Sequence, residues 1–317
     1  RSICYEKEFN TFKEIDLNIG DRHNHGRSVS KILLDNGINI YYKPHGLKKA
    51  ICYQHIYGTL CERAGLGNKK VPYIDYGDYG WEGEAKKQDC ENEEQVKRYF
   101  LRMGIHLFLA YALSASDLHG ENFLACGEYP VLLDFETLPG YAGAADDETV
   151  DKQISNYINS SVLKTGILPE LIWGGNGAIV SALSTGATVR TPFRMPVIKN
   201  QGTSEMHIEH EPVELTFSGC VVTCKGEVMQ PLDYQEEICA GFTSAYHTYL
   251  ADTSIRKAME PFFEARTRIL HRHTQQYAMH RFTSIHQKLC ESTEARRKLL
   301  FEVYGDQGKW GAIHTYE

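Results

Sequence analysis

A chain of 317 residues, 42% hydrophobic and 24% charged, can bury one large core or two smaller ones, which excludes a disordered tail. Its formal charge of −7 leaves no basic footprint for sequence-independent nucleic-acid binding, and no run of about 18 apolar residues or basic-then-apolar leader marks a membrane span or a signal peptide. Nine cysteines, an odd number with no CxxC pair, suit free thiols in a reducing cytoplasm better than a disulfide framework, and the first residue, Arg1 rather than Met, leads us to expect a piece of a longer chain.

In chain order, EIDLNIGD, VSKILL and INIYYK are each short, rich in β-branched or apolar residues and bounded by turn signals, which predicts three strands. Asp35-Asn36-Gly37 supplies the turn between the last two. Alternation in INIYYK puts Ile38, Ile40 and Tyr42 on one face and Asn39, Tyr41 and Lys43 on the other, and Pro44 ends the pairing. From Lys48 to Ala64, apolar residues recur at three- and four-residue spacing before Gly65, which predicts an amphipathic helix. The Gly- and Tyr-rich stretch 73–84 breaks the pattern as a hinge. A second helix is expected from Glu93 to about Ser114, capped by Asn92 with Gln95, with Val96, Phe100, Met103, Leu107, Phe108 and Tyr111 inward. Beyond Tyr141, 142–153 and 174–189 read as surface loop, 214–228 as a hairpin turning at Lys225-Gly226, and Tyr234 to Tyr304 as a helical tail.

The stretch between these helices and that tail carries the chemistry. SASDLHGENFL, followed eight residues later by LLDFETL, gathers Asp117, His119, Asn122, Asp134 and Glu136. Phosphoryl transfer needs an aspartate near the attacking hydroxyl and oxygen ligands that hold Mg²⁺ against a polyphosphate. Asp117 and Asn122, followed by Asp134, have the spacing of a protein-kinase catalytic loop and its metal aspartate. On a continuing strand Asp134 and Glu136 would face the same way; the bland alternative is an Asx-turn with solvated acids. The order of parts agrees: GDRHNHGRS lies between the first two strands, where a nucleotide-covering loop would lie, and Lys43 ends the third. That loop departs from a plain GxGxxG by carrying Asp21, His23, His25 and Arg27, which also reads as a capped turn or a metal site. Glu62 lies on the following helix, where a partner of Lys43 would sit, although a solvated face is its simpler reading.

GDRHNHGRSV, YYKP, SDLHGENF and LLDFETL together resemble the dehydratase domain of class II lanthipeptide synthetases, the LanM family, and SVLKTGILP, NQGTSEM and RILHRHTQQY extend the resemblance over nearly the whole chain. It implies an α+β, two-lobed protein/lipid-kinase-like core, with a strand-rich lobe over 1–80 and a mainly helical lobe over 81–317. The implied activity phosphorylates Ser and Thr of a precursor peptide with ATP and Mg²⁺, then eliminates phosphate to leave dehydroalanine and dehydrobutyrine. Carried over, Asp117 is the base. His119, Asn122, Asp134 and Glu136 form the metal and phosphate shell, Lys43 contacts ATP phosphates, and Asp21, His23 and Arg27 serve the same cleft. For elimination the resemblance implies an Arg and a Thr on a mobile segment. Here RTPFRMPVIKNQGTSEM offers Thr203 with Arg190, Arg194 or Lys199 and no unique match. Arg268, Arg272, Thr274 and Tyr277 match a family motif without a physical role.

The family's C-terminal zinc cyclase, a partner implied for the parent chain, has no Cys-His-Gly counterpart here; Cys220 and Cys224 read as one face of a strand, and the tail histidines 271, 273, 280 and 286 as a wet helical face. Two other functions share part of the pattern: a phosphotransferase acting on a small alcohol, and a non-catalytic ATP- or peptide-binding module.

Overall fold

The computed structural model describes residues 2–4, 7–23, 27–140, 149–169, 181–216, 218–264, 267, 289 and 291–304. Strands β1 (Phe12–His23), β2 (Arg27–Leu34) and β3 (Asn39–Lys43) form where the alternation predicts them, and helix α1 (Lys48–Arg63) stops ahead of Gly65. Ile38 and Ile40 are buried with Ile3, Cys4, Ile32 and Leu34 in a core on one side of the sheet, leaving Tyr41 and Lys43 to the other.

The stretch 73–84 is not a hinge. It forms β4 (Tyr73–Asp75) and β5 (Gly80–Gly83), completing an antiparallel five-stranded sheet of order β1-β2-β3-β5-β4. The pairing Tyr41↔Glu82 puts Glu82 on the same face as Lys43. Asp75 on β4 also accepts the Leu47 N–H at 2.8 Å, a cap that the α1 N-terminus does not draw from its own sequence.

Helix α2 (Glu93–Ala112) begins as expected: Asn92 accepts from Gln95 N at 3.0 Å, and the Gln95 side chain reaches back to Glu91 N at 2.9 Å. Val96, Phe100, Met103, Leu107 and Phe108 point inward, but Tyr111 is exposed because α2 is covered unevenly near its C-terminus. Helix α4 (Gln235–Ala251) crosses α2 with backbones in near contact: a Cβ at Gly241 would collide with the carbonyl oxygen of Leu101, and one at Gly104 with that of Ile238. Helix α5 (Thr253–Glu264) packs on α1.

Strands β6 (Phe123–Cys126) and β7 (Tyr129–Leu132) form a short hairpin, and α3 (Val150–Asn159) occupies part of the stretch read as loop. The segment 190–215 holds a long hairpin that was not expected, β8 (Val189–Lys199) with β9 (His207–Leu215), which takes Glu214 and Leu215 away from the later predicted hairpin. That later hairpin survives as β10 (Thr223–Cys224) and β11 (Glu227–Val228), turning at Lys225-Gly226. Cys220 lies in the turn before β10 and Cys224 within it, both buried. The chain divides into two compact units, Arg1–Thr267 and Arg268–Glu317, the second contributing α6 (Thr293–Tyr304). His25, Cys290, Arg268, Arg272, Thr274, Tyr277 and the tail histidines lie outside the described residues.

Candidate active site

The β6–β7 register brings the two acidic motifs together. Phe123 pairs with Leu132, so Asn122 and Leu133 flank the open end of the ladder, and Leu133 N donates to Asn122 O at 2.8 Å. Asp134 is one residue further on. Two more bonds stitch the segments side by side, Thr137 Oγ1 to Ser116 O at 3.2 Å and Gly140 N to Leu113 O at 2.9 Å. Residues 123–132, between Asn122 and Leu133, are thus a spacer that folds back on itself.

Within the loop, Asp117 has φ 67°, a left-handed conformation that costs a non-glycine residue energy and persists only where surroundings impose it. Leu118 N is held by Thr165 O at 2.9 Å, and Asn122 Nδ2 donates to Asp117 O at 2.6 Å. His119 Nδ1 accepts the Glu121 N–H at 3.3 Å, which leaves Nε2 to carry the proton of the neutral ring, 3.5 Å from Asp117 Oδ1. The Asp117 side chain is 46% exposed, so this loop aims a carboxylate at solvent from a fixed backbone.

Strand β7 ends at Leu132, so Asp134 and Glu136 do not share a continuing strand. Glu136 N donates to Asp134 Oδ1 at 2.8 Å, an Asx-turn whose acids are part-buried rather than solvated. Phe135 between them packs on Tyr53 at a centroid distance of 5.3 Å, anchoring the turn in the helical core.

Two lysines and a histidine from the end of β3 and the start of α1 meet this turn. Lys43 Nζ lies 3.2 Å from Glu82 Oε2, both side chains largely buried. Burial pulls the Lys43 ammonium down, but the carboxylates of Glu82, Asp134 and Glu136 outweigh it and hold its pKa above the ordinary value. Burial lifts Glu82 above the usual carboxylate range against the pull of Lys43. With three carboxylates facing one ammonium, the ion pair is the state that satisfies both groups. His45 Nε2 is 3.3 Å from Glu136 Oε1. Lys49 Nζ donates to Thr267 Oγ1 at 3.1 Å and to Glu136 O at 3.4 Å, and burial brings its pKa down to about 8 against the pull of Glu136 and Asp134.

Glu82, His45 and Lys49 are the site residues that sequence reasoning missed. Glu82 hid in strands of three and four residues, too short for alternation to register. Lys49 reads as half of a solvated Lys-Lys first turn. Glu62, the alternative partner for Lys43, is exposed.

The other candidates are on β1, β2 and the long hairpin β8–β9. Asp21 and His23 are on β1, and Arg27 opens β2 opposite His23, exposed. Arg194 on β8 donates through Nε and Nη2 to His210 O at 3.0 and 2.8 Å, Lys199 is ion-paired with Glu211, and Thr203 Oγ1 donates to Asn200 O at 2.8 Å within the connecting turn. The Glu211 hydrogen bond raises the Lys199 pKa. This hairpin packs chiefly on itself, so among the described residues these three are held by local partners rather than by the cleft.

No group of three His, Cys, Asp or Glu among the described residues makes a protein-only metal cage. By residue type, Asp134, Glu136 and the Asn122 amide oxygen are oxygen donors of the kind that suits Mg²⁺, which keeps water and substrate phosphate in its shell and takes only one or two carboxylates from protein. His119 fits it less well, since its nitrogens face Asp117 and Glu121 N.

The chain belongs to the family described as Domain of unknown function (DUF4135), whose model matches residues 2–317. It is 25% identical over 284 residues to the lacticin 481/lactococcin biosynthesis protein LcnDR2 of Lactococcus lactis subsp. lactis. That similarity covers 82% of this chain and 30% of the relative's length, so the chain spans less than a third of the protein it matches. No helix among the described residues is long and apolar enough to cross a membrane.

Proposed function

We propose that this chain is the kinase-like dehydratase core of a lanthipeptide-modifying enzyme, which phosphorylates Ser and Thr of a precursor peptide and then eliminates the phosphate. The observation that carries this reading is the convergence of Lys43, Asn122 and Asp134 around a loop that fixes Asp117, from positions 91 residues apart at the extremes. The relative's role in lacticin 481 biosynthesis supports a peptide substrate over a small alcohol.

In this reading ATP is the phosphoryl donor, and Mg²⁺, when bound, supplies charge neutralisation at the phosphates. Asp134 and Glu136, with the Asn122 oxygen, would hold the ion, and the Asx-turn and Phe135 keep their carboxylates in place. Lys43, locked by Glu82, presents a fixed positive charge to the phosphates. Asp117 accepts the hydrogen of the substrate hydroxyl, and His119, donating through Nε2, orients that carboxylate. Elimination removes an α-proton and expels phosphate; Arg194, Lys199 and Thr203 remain our assignment for that step, with Asp21, His23 and Arg27 serving the cleft.

The test incubates the full-length protein with ATP, Mg²⁺ and the Ser/Thr-rich peptide encoded beside it, and follows peptide mass. Net loss of water from the peptide is expected. Gain of phosphate that never leaves would limit the activity to phosphotransfer, and an unchanged peptide would overturn the reading.

A further inference from the structure

His106, on α2, is 1% exposed, and the chemistry above gives it no task. A polar ring in an apolar core loses its hydration, and a leucine would fill a similar space without that cost. Both nitrogens are nevertheless satisfied. A carbonyl can only accept, so Nε2 carries the proton and donates to Pro130 O at 3.2 Å, and Nδ1 accepts from the Tyr53 hydroxyl at 2.8 Å. Burial lowers the pKa to about 3, which keeps the ring in this form with one donor and one acceptor. The Tyr57 ring stacks on it at a centroid distance of 4.0 Å, and the Phe123 ring meets it at 82°, 5.2 Å away.

Its partners root both acidic motifs. Phe123 follows Asn122 directly, and Pro130 lies on β7, four residues before Asp134. The Tyr53 ring is the surface on which Phe135, between Asp134 and Glu136, packs at 5.3 Å. On α1, Tyr53 is one helical turn beyond Lys49, whose Nζ reaches Glu136 O at 3.4 Å. The acidic turn is thereby held along two routes, the chain from Pro130 to Phe135 and the contact of Phe135 with Tyr53, and both lead to His106. Apolar packing is non-directional and tolerates sliding, whereas two hydrogen bonds of these lengths fix α1 against β7.

We propose that His106 is a positioning residue for phosphoryl transfer: by tying the Tyr53 hydroxyl to the Pro130 carbonyl it sets the turn of Asp134 and Glu136 against α1 and against the Asn122 end of the catalytic loop. The inference rests on the kinase-like reading above. Fully buried, His106 acts through Tyr53 and Phe135 rather than on a phosphate or the peptide. Groups that orient the ligands of a metal site without touching the metal contribute about 10–100-fold in affinity or activity. A histidine that only filled the core would change stability and leave the turn's geometry alone.

The test uses the full-length protein and reads kcat for phosphopeptide formation, the Mg²⁺ concentration that half-saturates binding of a fluorescent ATP analogue, and amide hydrogen exchange over 133–138, where the Leu133 and Glu136 N–H groups are bonded. His106→Leu removes both bonds. Tyr53→Phe removes one, keeps the ring under Phe135, and carries the test should His106→Leu fail to fold. Ile105→Val, at a fully buried neighbour on α2, is the control for general loss of stability. His106→Leu is expected to lower kcat at least about ten-fold and to raise the Mg²⁺ requirement, with peptide KM unchanged, and Tyr53→Phe to do so several-fold. Exchange over the turn should quicken about five-fold in both, and in Ile105→Val no more there than elsewhere. The double variant should be no slower than His106→Leu, since the bond it would remove is already gone. His106→Gln, whose amide can both donate and accept, should recover most of the rate. The proposal is refuted if His106→Leu and Tyr53→Phe match Ile105→Val in kcat and Mg²⁺ requirement, or if their exchange rises evenly along the chain, because His106 then only stabilises the core. A wild-type protein that forms no phosphopeptide would instead bring down the functional reading, and this inference with it.

Discussion

Replacing Lys43 by Met separates the structural from the chemical role of the buried pair. At 3.2 Å and an effective dielectric of about 20, attraction between Lys43 and Glu82 is about 5 kcal/mol, against which desolvation of both groups must be set. Removing one member of such a pair costs about 3–5 kcal/mol, because the other charge is left buried. Glu82 is already held above the usual carboxylate range, so without Lys43 it can take up a proton, which puts Lys43→Met near the lower figure. Glu82→Gln should cost less, since Asp134 and Glu136 still face Lys43. The double variant Lys43→Met/Glu82→Gln leaves a neutral pair and should lie within about 1 kcal/mol of wild type. The assay is urea unfolding followed by tryptophan fluorescence, with Trp81 adjacent to Glu82 on β5. The sign of the pH dependence is fixed. In Lys43→Met the folded Glu82 binds its proton more tightly than the unfolded one, so stability recovers as pH falls and is lost as pH rises through the raised value. All three variants should lack phosphoryl transfer or be severely slowed. Equal stability of Lys43→Met and wild type, or a double variant whose cost equals the sum of the singles, would refute the buried pair.

Asp117→Asn keeps the loop's shape but accepts no proton, so phosphorylation should fall by roughly two or more orders of magnitude with ATP affinity retained; lost ATP binding would make Asp117 a metal ligand instead. Alanine at Arg194, Lys199 or Thr203 should let phosphopeptide accumulate, measured by mass spectrometry, while Asp117→Ala still removes phosphate from a peptide phosphorylated in advance. If all three hairpin variants lose both steps together, the hairpin is structural and the elimination residues lie elsewhere. His106 is buried between the Tyr53 hydroxyl at 2.8 Å and Pro130 O at 3.2 Å, and burial lowers its pKa to about 3. Between its unfolded value of about 6.5 and the folded one only the unfolded chain takes up this proton, so His106 should cost up to about 1.4 kcal/mol of stability per pH unit as pH falls. An acid unfolding curve for His106→Gln no flatter than wild type would contradict this. Gly241→Ala should destabilise by about 1–3 kcal/mol, read as a lower urea midpoint, because the obstructing atom is backbone and cannot move aside.

Local pattern was enough for β1 to β3, α1, α2 and its Asn92 cap, because period-2 alternation, helical spacing and capping chemistry act over a few neighbouring residues. It was also enough to single out Asp117, Asn122, Asp134 and Lys43 as candidates, since spacing along the chain is itself the motif. It failed where partners come from far away. Strands β4 and β5 have too few residues to show a period and exist because β3 offers an edge to β5 and β5 offers one to β4, which is why Glu82, and not a residue of α1, meets Lys43. The Asx-turn at Asp134 replaced the continuing strand because Phe135 finds Tyr53 in the helical core, a contact 82 residues distant. Lys49 and His45 look solvent-facing in a linear reading and become part of the site only when the start of α1 docks on the turn at Asp134 and Glu136. Residue spacing selects which groups can do chemistry, whereas desolvation and cross-chain pairing, which depend on what is packed against them, decide which charges are held and which are left to solvent.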